Sequence, residues 1–117
     1  MEIASSYREN YFQLSLTGQM WQHEDLEMLE RHVDICFKAK RPWLILDLER
    51  LTFLNSQALG RLVRLHMRCK EAGGKLILFQ PRSNVLDVIE ISNLPFFIAV
   101  ANTEKELLEC MESETDS

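Results

Sequence analysis

Ser56 is the residue of this chain best placed to carry chemistry. It stands in the run Leu51-Thr52-Phe53-Leu54-Asn55-Ser56-Gln57-Ala58-Leu59-Gly60. Before that run lies a short apolar segment, WLILDL (43–48). After it comes an amphipathic helical pattern that ends at Gly73-Gly74, then a second apolar segment, KLILF (75–79). The spacing predicts strand, loop, helix, strand, with Ser56 at the loop-to-helix junction. Backbone N–H groups and the positive end of a helix dipole converge at such a junction. A hydroxyl there either caps the helix or accepts a group that switches on negative charge. Asn55 and Ser56 are both favoured cap types, worth about 1 kcal/mol each, so residue type leaves open which of them caps.

Other reactive residue types do not assemble into a recognisable enzyme site. The glycines form neither the G-x-G-x-x-G of a dinucleotide fold nor a G-x-x-x-x-G-K-[ST] phosphate loop, and no serine sits in G-x-S-x-G. His23, His32 and His66 lack metal-ligand spacing, and His66 falls on the inward side of its helix. Asp47 and Glu49 are placed at a strand end with no base or nucleophile beside them. Cys36, Cys69 and Cys110 are far apart, odd in number and lodged in or beside apolar helical patterns. Buried free thiols are expected rather than a disulfide or metal site. The reading is non-enzymatic, with no cofactor and no metal.

Positioning Ser56 requires a sheet and its helices. Tyr11 to Thr17 alternates, with Phe12, Leu14 and Leu16 on one face, and Gly18 is read as its end. Ile3 to Tyr7 is its hairpin partner across Arg8-Glu9-Asn10. Glu24 to Lys40 repeats Leu26, Leu29, Val33 and Cys36/Phe37 as one helical stripe stopped by Pro42. Trp43 to Leu48 is too short and too continuously apolar for a surface helix, so it reads as a central strand buried on both faces. Ser56 to Ala72 is a helix with Leu59, Leu62, Val63, His66 and Cys69 inward and Arg61, Arg64 and Arg68 along another side. Gly73 or Gly74 supplies its left-handed cap. Lys75 to Phe79 is a strand, Asn84 to Ile91 a short helix and Phe97 to Val100 a last strand. Thr103-Glu104-Lys105-Glu106 forms a capping box that opens a final helix to about Met111. The alternation predicts one α/β domain over 1–111, with a mixed, mostly parallel sheet covered by about four helices and the hairpin at one side. Residues 112–117 form an acidic tail expected to be disordered.

Composition bounds the partners. The chain has 117 residues, enough for one core. It contains no repeat, no stretch approaching a membrane span and no secretory start, so the expected compartment is the cytoplasm. A net charge of −5 disfavours generic nucleic-acid binding. The charge is uneven: six basic residues and one acid lie between Arg61 and Arg82, while the last fifteen residues carry six acids and one lysine. The Arg61-Arg64-Arg68 stripe is a solvated face or a docking edge for an acidic partner. Trp21 is an interface anchor or packs on its own helix. No exposed apolar stripe is evident, which implies a monomer when free.

The segment LILDLERLTFLNSQALGRLVRLHMRCKEAGGKLILF resembles the STAS domain, the fold of bacterial anti-sigma factor antagonists. That family has a buried strand, a run h-x-F-h-D-S-S-G-L-G (h being apolar), a helix, a glycine stop and another buried strand. Residues 51–60 lie over that run, with Asn55 in place of Asp, Gln57 in place of the second Ser and Ala58 in place of Gly. Leu16-Thr17-Gly18 is similar to the family's early L-x-G, and Ile91-Ser92-Asn93-Leu94 to its h-S-G-L.

The resemblance implies a STAS fold and a protein-binding switch. The partner would be an anti-sigma factor that is also a serine kinase using ATP and magnesium. Ser56 takes the phosphoserine position, and Trp21, Asn55, Ser56, Gln57, Arg61 and Arg64 make up the implied partner surface. The alternative it implies is a scaffold that is never phosphorylated, such as the STAS-type accessory protein of a lipid-transport ABC system.

Overall fold

Residues 1–39, 43–93 and 98–112 are described in the computed structural model. Strands β1 (Glu2–Arg8) and β2 (Tyr11–Met20) form an antiparallel hairpin, turned at Glu9 with φ +49°. Helix α1 (His23–Lys38) leads to β3 (Trp43–Leu54), α2 (Ser56–Glu71) to β4 (Lys75–Phe79) and α3 (Ser83–Ile91) to β5 (Ala99–Ala101). Helix α4 (Glu104–Glu112) follows. The strands lie in sequence order β1-β2-β3-β4-β5, and every pair after the hairpin is parallel.

Sequential order decides how the sheet is covered. Crossovers of one hand, stepping always in one direction, put their helices on one face. Leu14, Leu16 and Met20 of β2, Leu44, Leu46, Leu48, Leu51 and Leu54 of β3, and Leu76 and Leu78 of β4 accordingly share a core with α1, α2 and α3. Among the described residues, the opposite face is covered by α4. There Tyr11, Ile45, Ile77, Phe79 and Ala101 pack with Leu107 and Met111. The central strands are thus buried on both sides, which explains the unbroken apolar runs LIL and LILF. Fully burying each such side chain contributes about 1.5–3 kcal/mol.

The expected helical stripes hold: Leu26, Leu29, Val33 and Cys36 are buried in α1, and Leu59, Leu62, His66 and Cys69 in α2, with Val63 partly so. Gly73, at φ +85°, turns the chain after α2. Glu106 N donates to Thr103 Oγ1 at 3.1 Å, closing the capping box that opens α4. Cys36 and Cys69 are buried free thiols, while Cys110 is half-buried.

Several boundaries differ from the sequence reading. The first helix ends at Lys38, and Lys40 and Pro42 lie outside the described residues. The last strand is Ala99–Ala101, with Phe97 outside them too, as are residues 113–117; Glu112 closes α4.

The larger corrections concern β2 and β3. Gly18 does not end β2, which continues to Met20, and β3 runs six residues past Leu48 to Leu54. Ser15 pairs with Asp47 and Thr17 with Arg50; Gly18 pairs with Leu51 and Gln19 with Phe53. At each step β3 carries one more residue than β2, so it holds two bulges. Bulges bend a strand and re-aim its side chains. They replace alternation with a period of three, so that Leu48, Leu51 and Leu54 are buried and the pairs between them are exposed. A period of three does not read as a strand, which is why the sequence predicts a loop over this segment. Asp47 and Glu49 consequently lie within the strand rather than at its end.

Candidate functional site

Parallel strands deliver their C-terminal ends, and the helix starts that follow, to one rim of the sheet. Trp21 and Gln22 leave β2 at this rim, and Asn55 and Ser56 leave β3. Asn55 is the N-cap of α2: its Oδ1 accepts from Ala58 N at 2.9 Å. Its Nδ2 donates to the carbonyl of Trp21 at 3.3 Å. One amide therefore closes the helix start and ties the neighbouring loop to it.

Because Asn55 caps, Ser56 does not. Ser56 is the first residue of α2 and is exposed, and no hydrogen bond engages its hydroxyl among the described residues. No acidic residue stands in the first turn of α2. The site therefore offers an open hydroxyl beside helix N–H groups, with no nearby carboxylate on its own turn to oppose an anion.

The end of β3 that leads into α2 is braced from both sides. Thr52 Oγ1 donates to the Gly18 carbonyl at 3.1 Å, and Asn84 Nδ2 donates to the Thr52 carbonyl at 2.9 Å. Arg82 Nε reaches the Glu49 carbonyl at 2.8 Å. On the other side, Asp25 Oδ2 accepts from Gln22 N at 3.1 Å and Trp21 N at 3.5 Å. Each such bond contributes about 0.5–1.5 kcal/mol net. Trp21 thus has a fixed backbone and a side chain that is 46% exposed.

A groove of about 360 Å³ opens next to Ser56, lined by His23, Leu26, Gln57, Gly60, Arg61 and Arg64. It joins α1 to the first nine residues of α2. The structure therefore gathers all the sequence-named residues at one end of the fold: Trp21, Asn55 and Ser56 on the rim, Gln57, Arg61 and Arg64 along the groove. The arginines differ in state. Arg61 is ion-paired with Glu30 of α1, and Arg68 with Asp34 at 2.6 Å while lying 4.8 Å from the Phe37 ring centre. Arg64 is exposed and has no ion pair among the described residues.

These are not one uniform stripe. Arg68 braces α1 against α2, whereas Arg64 is available.

The chain matches the STAS domain model over residues 5–107. It belongs to the STAS domain family. Known structures of the same fold include TM1081 of Thermotoga maritima, 19% identical over 92% of each chain with a TM-score of 0.82. SpoIIAA, an anti-sigma factor antagonist, is 18% identical in its unphosphorylated form, covering 95% of this chain and 98% of that one with a TM-score of 0.71. The phosphorylated form of SpoIIAA, from Bacillus, gives 20%, 94%, 99% and 0.69. An anti-sigma factor antagonist of Mycobacterium paratuberculosis is 19% identical over 93% and 92% of the two chains, with a TM-score of 0.74. No curated protein matches the sequence significantly.

In this STAS domain the departures from the family run are locally accommodated. Asn55 keeps the cap that Asp would provide, and Ala58, in the glycine position, is fully buried while donating to Asn55. Sequence reasoning missed Phe53 as a surface residue: it is 45% exposed at the end of β3, where strict alternation from Leu51 would have turned it inward. The three-residue spacing of Leu48, Leu51 and Leu54 is the signal that places it outside. Gly60, Thr52 and Asn84 carry no signal in the sequence, and His23, weighed there only as a metal ligand, lines the groove instead; only the tertiary neighbours give them a role.

Away from the rim, His66 is buried with Nδ1 unpartnered, and burial first, then Lys70, holds its pKa below the usual histidine value. Asp47 Oδ1 accepts from Glu49 N at 3.1 Å and its Oδ2 from Gln13 Nε2 at 3.4 Å, so its carboxylate is spent within the sheet. Among the described residues no group of three or more His, Cys, Asp and Glu is placed to hold a metal, and no helix is long and apolar enough to cross a membrane.

Proposed function

We propose that this STAS domain is an anti-sigma factor antagonist, a cytoplasmic binding switch controlled by phosphorylation of Ser56. Unphosphorylated, it docks an anti-sigma factor that is also a serine kinase, and so frees a sigma factor; phosphorylated, it is released. The observation that carries the reading is the division of labour at the start of α2. Asn55 does the capping, and Ser56 keeps an exposed, uncommitted hydroxyl.

The physics of the switch follows from that position. Phosphate adds about −1.5 to −2 charge at neutral pH. Within the domain, the α2 N-terminus tolerates it, since N–H groups and the dipole favour an anion. At a docking surface built for a neutral hydroxyl the same charge must be desolvated without a partner, which opposes association. Trp21 is a rigid aromatic anchor at the edge of this surface, and Arg64 offers an unpaired cation to an acidic partner. The domain supplies no catalytic group; ATP and magnesium belong to the kinase.

The test is intact mass after incubation with a kinase-type anti-sigma factor from the same host and ATP–magnesium. One added phosphate is expected on the wild type and none on Ser56→Ala, with the partner bound by unmodified protein only. Phosphate persisting in Ser56→Ala would sink the assignment. Co-purification with a transporter ATPase instead of a sigma regulator would favour a scaffold role.

A further inference from the structure

Among the described residues the sheet ends at β1. The β1 edge carries no inter-strand pairing on its outer side among the described residues, and its pairing with β2 runs without a break from Glu2 to Arg8. Native sheets blunt such edges with charged side chains, proline, bulges or shortness. β1 is seven residues long, reads EIASSYR and is largely exposed; it has no proline and no bulge, and its charges, Glu2 and Arg8, stand only at its two ends. The other edge strand, β5, is only three residues long.

The β1 sequence is complementary to itself. We propose that two copies of this chain pair antiparallel through β1, about a two-fold axis at Ser5, to make one continuous sheet. Side chains alternate between faces, so a symmetric antiparallel pairing must centre on a residue. Centring on Ser5 overlaps the whole strand. Glu2 then lies opposite Arg8 of the partner subunit, and Ile3 opposite Tyr7 of the partner subunit. Both pairings occur twice by symmetry. The first matches opposite charges on the α4 face; the second matches an aliphatic with an aromatic on the helix face, and Tyr7 is 51% exposed. Centring one residue either way leaves the Glu2 and Arg8 charges unmatched.

The intrachain contacts permit this. Glu2 is exposed, with no hydrogen bond or ion pair among the described residues. Arg8 is bound to Glu104 through Nη1 and Nη2, which leaves guanidinium N–H groups for a second carboxylate. β2 separates β1 from β3, so the edge lies apart from Ser56 and pairing does not depend on the switch. The second copy is favoured over a foreign strand because the charge match is internal to the sequence. An expectation of a monomer based on apolar stripes misses it, since the complementarity is mostly polar and register-dependent.

The test is the mass of the full chain in solution over a concentration series, by sedimentation. The expected result is growth from 13.7 kDa toward twice that value. Glu2→Arg places like charges opposite each other at both ends and should weaken the dimer at least about tenfold, as should Arg8→Glu. Mixed together, these two variants are complementary and should recover a heterodimer. Glu2→Arg carries the argument even if loss of the Glu104 contact perturbs Arg8→Glu. In a separate reading of register, Ser5→Cys should form an inter-subunit disulfide on mild oxidation that Glu2→Arg suppresses. A chain that stays at 13.7 kDa throughout without a Ser5→Cys cross-link overturns the proposal, as does a dimer indifferent to Glu2→Arg.

Discussion

The side chain of Asn55 bonds in two directions, to Ala58 N within its own helix and to the Trp21 carbonyl on the neighbouring strand's exit. The first bond is local and makes the cap. The second crosses from β3 to β2 and fixes where an exposed tryptophan stands relative to Ser56.

The two bonds are separable by substitution. Asn55→Ala loses both and should cost about 0.5–2 kcal/mol in urea unfolding. Asn55→Asp keeps the acceptor and adds a charge favourable at a helix N-terminus, but it has no N–H for Trp21. Its stability should stay within about 0.5 kcal/mol of wild type. Acrylamide quenching of Trp21, read in a Trp43→Phe background, should rise in both variants. Unchanged quenching in Asn55→Asp would mean that the loop is held without this amide.

Two glycines should respond with opposite signs to alanine. Gly18 sits at the second bulge pairing with φ +107°, and its carbonyl receives Thr52. Gly18→Ala forces a side chain into that conformation and should destabilise by about 1–3 kcal/mol. Gly60 is helical, with nothing within 4 Å of an added Cβ. Gly60→Ala should stabilise by about 0.5–1 kcal/mol through helix propensity. Urea midpoints of the pair check this. Equal shifts in one direction would show that backbone conformation is not what distinguishes them.

His66 makes stability depend on pH. Burial disfavours its charged form, so its folded pKa lies below the unfolded value of about 6.5. Where the unfolded state binds more protons, stability rises with pH. The contribution is therefore fully present above about pH 6.5, and it is lost as pH falls from there through the folded pKa. Denaturant midpoints at pH 7.5 and 5.5 should show this drop in wild type and a smaller one in His66→Phe. An identical drop in both would place the dependence elsewhere.

Much of the fold was legible because it rests on contacts near in sequence. The stripes of α1 and α2, the capping box at Thr103 and Glu106 and the glycine stop at Gly73 are set by neighbours three or four residues apart. The continuous apolar runs of β3 and β4 announce burial on both faces. The position of Ser56 at a helix start was readable for the same reason, and with it the outline of the candidate site.

What lay beyond reading depends on a neighbouring strand. Whether Gly18 ends β2, how far β3 extends and which way Phe53 points are decided by a register in which β3 carries two more residues than its partner. Residue type alone left Asn55 and Ser56 as equal candidates for the cap. The Trp21 carbonyl, 34 residues away, lies across from Asn55 and receives its amide, and Ser56 remains exposed. Likewise Arg61, Arg64 and Arg68 share one helix and one charge, yet Glu30 and Asp34 of α1 occupy the first and last and leave the middle one open. The sequence by itself determined the elements and the placement of the serine, because those follow from local spacing. Only the tertiary structure decided which groups are spent and which stay available, because the partners that spend them are brought near by pairing and packing across long stretches of chain.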